Sequence, residues 1–116
     1  MQDQAKIASA GLGETCVQTL ARLFPTASAV RLPIRVVKAG SGRKHLEEST
    51  IIEFGTEREV LFASRLPLEF EDRIRMVNSD GSFDARASVI AVRYHEGQKA
   101  VAARFLQNVE NWIIKP

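Results

Sequence analysis

The sequence predicts an all-β fold with a flanking helix: a six-stranded antiparallel β-barrel with an N-terminal helix. Three observations carry that reading. Short segments of alternating apolar and polar residues recur from Val30 to Leu106, and clusters of Gly, Asn, Ser and Asp separate them. The only stretch with clear helical spacing lies ahead of all of them. Strands joined by tight connections hide their edges best by closing on themselves. The expected organisation is an N-terminal lead and amphipathic helix over residues 1–28, followed by a barrel domain over residues 29–116.

From Glu14 to Phe24, Val17, Leu20, Ala21 and Phe24 follow the i, i+3, i+4, i+7 spacing of an amphipathic helix, and Pro25 stops it. Such a helix caps the barrel or docks on it. Before it, Met1 to Gly13 is polar and rich in small residues, a loosely ordered lead. Val30, Leu32, Ile34 and Val36 then alternate with Arg31, Pro33 and Arg35, the period of a half-buried strand. Pro33 puts that strand at an edge or beside a bulge, because proline cannot donate to a ladder. Ala39-Gly-Ser-Gly-Arg43 is a turn, and Leu46 to Phe54, β-branched at Thr50-Ile51-Ile52, is the second strand.

Gly55 breaks the pattern, Glu59 to Ala63 is the third strand, and Leu66-Pro-Leu68 ends it. Asp72 to Val77 alternates Arg73 and Arg75 with Ile74 and Met76. The turn Asn78-Ser-Asp-Gly-Ser82 joins it to Phe83–Tyr94 as a hairpin. Glu96-Gly-Gln98 turns the chain again, and Ala100 to Leu106 returns with Val101, Ala103 and Phe105 on one face. Asn108 to Lys115 suits a last helical turn or a short terminal strand, with Trp112 as a packing anchor against the barrel mouth.

Composition excludes several classes. A chain of 116 residues can bury roughly two thirds of its unfolded surface without a disulfide. Hydrophobic residues at 45% and charged residues at 26% are globular values, which argue against long disorder and against a membrane protein. Sixteen Lys and Arg against 14 Asp and Glu leave a net charge of +2, too small to commit the chain to nucleic acid without a concentrated patch. Cys16 is the sole cysteine, so neither an intramolecular disulfide nor a cysteine metal cluster can form, and a cytoplasmic location is expected. Gly11, Gly13 and Glu14 interrupt any apolar region that a secretory signal would need, and no run reaches the ~20 apolar residues of a membrane span.

Leu32-Pro-Ile-Arg-Val36, Thr50-Ile-Ile-Glu-Phe-Gly-Thr56 leading into Val60-Leu-Phe62, Leu66-Pro-Leu68 with Asp72-Arg-Ile74, Ala87-Ser-Val-Ile90 and Val101-Ala-Ala-Arg-Phe105 together resemble the PilZ domain. The similarity spans roughly residues 29–106 in strand order and turn placement. It implies a six-stranded barrel in bacterial signalling whose typical members bind cyclic di-GMP, are not enzymes, and act on motility, polysaccharide or adhesion machinery. The family's ligand site uses an RxxxR pair just before the first strand and a [DN]xSxxG pattern on the second and third strands. Here the second pattern falls on Glu53-Phe-Gly-Thr-Glu-Arg58: Glu53 takes the acidic position, Gly55 stands where serine is expected and Arg58 where glycine is. The RxxxR is Arg31-Leu-Pro-Ile-Arg35, inside the first strand, and Phe24 to Val30 holds no basic residue. Arginine serves a guanine dinucleotide by stacking on the base and by forked hydrogen bonds to its edge or phosphate, so these departures weaken or remove nucleotide binding.

The ligand-binding candidates are therefore Arg31, Arg35, Glu53 and Arg58. Arg31 and Arg35 share a strand face, as an anion clamp or as a solvated face balanced by nearby acids, and the second outweighs the first. Arg73, Arg75, Arg86 and Arg93, with Tyr94, could form a basic stripe for single-stranded nucleic acid, against which the commoner arrangement is ordinary outward positions. His45 and His95 sit near turns without a ligand pattern, so no metal is expected. Cys16 reads as a small packing residue rather than a nucleophile. The glycines are turn residues, and Glu47, Glu48, Glu53, Glu57 and Glu59 read as solvated charge near one hairpin. The expectation is a non-catalytic adaptor or protein-interaction module, with weak or absent cyclic di-GMP binding and no other cofactor. Its partner is another protein, or a second copy if Val17, Leu20 and Phe24 exceed what the barrel covers.

Overall fold

The computed structural model describes residues 14–39 and 45–115. The expected lead over Met1–Gly13 lies outside the described residues, as does the turn after Ala39. The elements are α1 (Cys16–Ala21), β1 (Ser28–Ala39), β2 (His45–Gly55), β3 (Glu59–Ala63), β4 (Arg73–Val77), β5 (Asp84–His95) and β6 (Gln98–Phe105). Every neighbouring pair is antiparallel, and the sheet closes in the order β1-β2-β3-β6-β5-β4. The chain is a six-stranded antiparallel barrel preceded by a short helix.

Strand alternation builds the core. Ile34 and Val36, Ile52, Val60 and Phe62, Ile74 and Met76, Ala85, Ala87 and Val89, and Val101 and Ala103 all point inward and are buried. Leu66 and Leu68 join this cluster from the β3–β4 connection, at one end of the barrel, while Phe83 and Trp112 join it at the other. Pro33 lies beside a register shift between Ala29 and Leu32, in the part of β1 that pairs with β2 but not with β4. A strand tolerates a residue without an N–H at such a place. At the β4–β5 turn, Asn78 Oδ1 accepts from Phe83 N–H (3.0 Å), and Gly81 adopts the positive φ of 77° that the tight reversal requires.

The helix is shorter than its apolar spacing suggests. Thr15 caps it through a reciprocal pair with Gln18: Thr15 Oγ1 accepts from Gln18 N–H (3.1 Å) and Gln18 Oε1 accepts from Thr15 N–H (2.8 Å). After Ala21 the chain tightens into i→i−3 bonds, from Leu23 N–H to Leu20 O and from Phe24 N–H to Ala21 O, and Pro25 prevents continuation. Six residues cannot hold a helix alone. Its stability comes from burying Cys16, Val17 and Leu20 on the outside of the barrel against Leu61 of β3 and Ala100 and Ala102 of β6. Each large apolar side chain buried this way contributes about 1.5–3 kcal/mol. Alanines at 100 and 102 let the helix approach closely, and they explain why β6 is apolar on both faces.

One expectation needs correction. Asn108–Lys115 is neither a helical turn nor a strand but an irregular segment, held by Trp112 rather than by a ladder. The apolar face of α1 does not exceed what the barrel covers, since Val17 and Leu20 are fully buried and Phe24 is half-buried. Among the described residues, no helix is long and apolar enough to cross a membrane.

Candidate functional site

The four residues singled out in the sequence do not converge. Arg31 and Arg35 project from the outer face of β1, where each meets an acid from β2. Arg35 Nε lies 3.3 Å from Glu47 Oε1. Burial raises the Glu53 carboxyl above its ordinary value, and the Arg31 charge works against that rise. The outer face of β1 is therefore a charge-balanced surface. Glu53 lines a groove of about 950 Å³ between the start of α1, β2 and the β5–β6 turn, whereas Arg58 lines a separate cavity of about 440 Å³ beside Thr56, Glu59 and Ile114.

Most polar groups of the larger groove are occupied by internal bonds. Glu48 accepts from Ser64 Oγ at 2.6 Å and from Arg65 N–H at 2.7 Å, and Thr50 Oγ1 donates to Ala63 O at 2.6 Å. Lys99 donates to Leu66 O and lies 5.8 Å over the Tyr94 ring, and burial lowers its pKa. The Cys16 thiol donates to Arg93 O at 3.3 Å and is buried, which makes it a packing residue. These groups tie the β3–β4 connection and the helix to the barrel. They do not form a nucleophile with a base.

The smaller cavity is organised around Thr56. Thr56 Oγ1 donates to Glu59 Oε1 (2.5 Å) and accepts from the N–H groups of Arg58 (3.1 Å) and Glu59 (3.0 Å). Burial acts to raise the Glu59 carboxyl, but the hydrogen bonds from Thr56 and Arg104 and the charges of Arg104 and Arg58 outweigh it and hold the pKa below the usual range. Trp112 Nε1–H donates to Thr56 O at 2.7 Å, and the indole packs against Phe83 and Phe105, with centroids 5.6 and 5.4 Å away. A Cβ on Gly55 would fall inside the contact distance of Trp112 Cζ2 and 3.0 Å from its Cη2. Glycine at 55 is thus required by the indole that covers it.

The arginines of the hairpin are brought together only in part. On the outer face, Arg75 of β4 stands directly opposite Arg86 of β5, and Arg73 stands opposite Ser88, which is in turn opposite Arg104 of β6. Arg93 and Tyr94 do not join them: Tyr94 is eight residues beyond Arg86 along β5, about 26 Å at the usual strand rise. Sequence reasoning missed Arg104 and the Thr56 hub. The spacing Thr56-x-x-Glu59 is the signal that could have found the hub, since a threonine hydroxyl at the start of a turn can accept from the turn's N–H groups and donate to a carboxylate three residues on.

His45 and His95 are exposed, at the start of β2 and the end of β5. Among the described residues, no group of three or more His, Cys, Asp or Glu is placed to hold a metal. No family model matches the chain, and no curated protein or solved structure matches it significantly.

Proposed function

We propose that the chain is a non-catalytic PilZ-like domain that works as an adaptor through protein contacts, with nucleotide binding weak or absent. The barrel and its strand order are compatible with the family. The observation that carries the adaptor reading is Trp112 seated on Gly55, so that indole and not ligand covers the position where the family pattern has its serine. Arg31 and Arg35 face Glu53 and Glu47 instead of a common cavity with Arg58. The reading puts the domain in the bacterial cytoplasm, where cyclic di-GMP signalling operates.

A second reading, single-stranded nucleic acid on the arginine face, has the grouping of Arg73, Arg75 and Arg86 in its favour. The distance of Tyr94 from that group counts against it. Isothermal titration of the full chain with cyclic di-GMP, with cyclic di-AMP as control, tests the adaptor reading. No heat and an unshifted melting temperature are expected. Selective micromolar binding would overturn it.

A further inference from the structure

We propose that the outer face of β4, β5 and β6 is a docking surface for an acidic protein segment, an extended run with Asp or Glu at alternate positions, anchored by Arg73 and Arg86. The proposal rests on the adaptor reading and names the partner's chemistry. Four guanidiniums, those of Arg73, Arg75, Arg86 and Arg104, occupy this face. Two of them are committed. Asp84 accepts from Arg75 Nε at Oδ1 (2.9 Å) and from Nη2 at Oδ2 (2.6 Å), and Glu59 Oε2 accepts from both Nε (3.1 Å) and Nη2 (2.6 Å) of Arg104. Arg73 and Arg86 are exposed and make no salt bridge among the described residues, although the Arg86 charge reaches Asp84 and helps to lower its pKa.

Asp84, clasped to Arg75, offsets the repulsion between the directly opposed Arg75 and Arg86. An anion between Arg86 and Arg73 adds negative charge that Asp84 alone does not supply. These two residues are diagonal neighbours across the β4–β5 pair, and such side chains stand about 7–8 Å apart. Alternate residues of an extended peptide are spaced by about 6.6 Å, so carboxylates at i and i+2 reach both guanidiniums, each able to accept a forked pair of hydrogen bonds.

Apolar side chains stand at the rim. Leu106, 44% exposed, lies beside Arg86, whose carbonyl accepts its N–H at 2.9 Å. Phe70, 65% exposed, precedes Glu71, which has a φ of 74° and bonds Val89 O at 2.8 Å. That is the left-handed region, unfavourable for a glutamate, and the chain keeps it next to an aromatic ring left in solvent. Arginine with aromatic and aliphatic neighbours is the usual make-up of a protein interface. A nucleic-acid strand suits the face less well, because Tyr94, the aromatic that would stack a base, stands about 26 Å from Arg86 along β5.

The test is a fluorescence-anisotropy titration of the full chain at low salt. The probe is a labelled twelve-residue peptide of alternating Glu and Thr, with the Gln-for-Glu peptide and a labelled oligothymidylate as controls. The Glu peptide is expected to bind, to weaken as salt rises, and to lose at least about tenfold in affinity on Arg73→Glu or Arg86→Glu. Both substitutions fall at exposed positions, so the melting temperature of each variant should stay close to that of the parent. Loss of binding in either variant is then not loss of fold. Absence of Glu-peptide binding, binding indifferent to both substitutions, or tighter binding of the oligothymidylate would overturn the proposal. With silent cyclic di-GMP calorimetry, such a failure removes this surface and leaves the adaptor reading standing; selective cyclic di-GMP binding removes the adaptor reading itself.

Discussion

Gly55→Ala probes the contact that closes the barrel mouth, and its cost should depend on a residue far away in sequence. The added methyl has no room: Trp112 Cζ2 and Cη2 lie over the glycine and Glu59 O is 3.2 Å away. Forcing a methyl into such a packed site costs about 1–3 kcal/mol. Trp112→Ala removes an indole that is 2% exposed, with its bond to Thr56 O and its packing on Phe83 and Phe105, at about 3–5 kcal/mol. If the indole is the main obstacle to the methyl, Gly55→Ala becomes much less costly once Trp112 is gone, with only the Glu59 O approach remaining. A coupling of about 1–2 kcal/mol between the two sites should follow. Urea denaturation of the parent, the two single variants and the double variant measures it. A Gly55→Ala cost that is the same with and without Trp112, within about 0.5 kcal/mol, would refute the argument that this glycine exists for the indole.

Asp72 should set part of the acid sensitivity. A hydrogen bond from Lys38 (2.7 Å) is the main cause that lowers its pKa, burial opposes it, and the Glu69 N–H adds to the lowering. A carboxyl whose folded pKa lies below its unfolded value contributes stability above the unfolded value and loses it as pH falls through the folded one. In Asp72→Asn, the fall in melting temperature below the ordinary aspartate range should flatten, with lower stability at neutral pH; an unchanged pH profile would contradict the bond. Glu53 has the opposite sign, since burial raises its pKa, so Glu53→Gln should stabilise the domain above the raised value; a loss of stability at neutral pH would count against that. Cys16 lies on the buried face of α1, so a thiol reagent should label it only when α1 undocks or the chain unfolds. Rapid labelling of the native chain would mean that α1 does not stay docked.

Much of the barrel was legible because its signals are local. Period-two alternation fixes which side chains of β1, β4 and β5 face inward, and the turns at Asn78–Ser82 and Glu96–Gln98 are specified by residues that accept a tight reversal. The length of α1 was not legible. Its apolar spacing continues to Phe24, but the i→i−3 bonds after Ala21 end the helix earlier, and the barrel surface beneath it sets how much is stabilised. The fate of Asn108–Lys115 was hidden for a related reason: an irregular segment carries no period, and only Trp112 marks that it packs.

By itself the sequence determined the succession of six strands behind a helix and the inward faces of β1, β4 and β5, because those are properties of neighbours along the chain. Tertiary structure alone decided that Trp112 covers Gly55, that Arg31 and Arg35 meet Glu53 and Glu47, and that Arg104 completes the arginine face with Arg73 and Arg86. Those contacts join residues tens of positions apart, and barrel closure, which fixes the register of every strand against two others, is what brings them within reach.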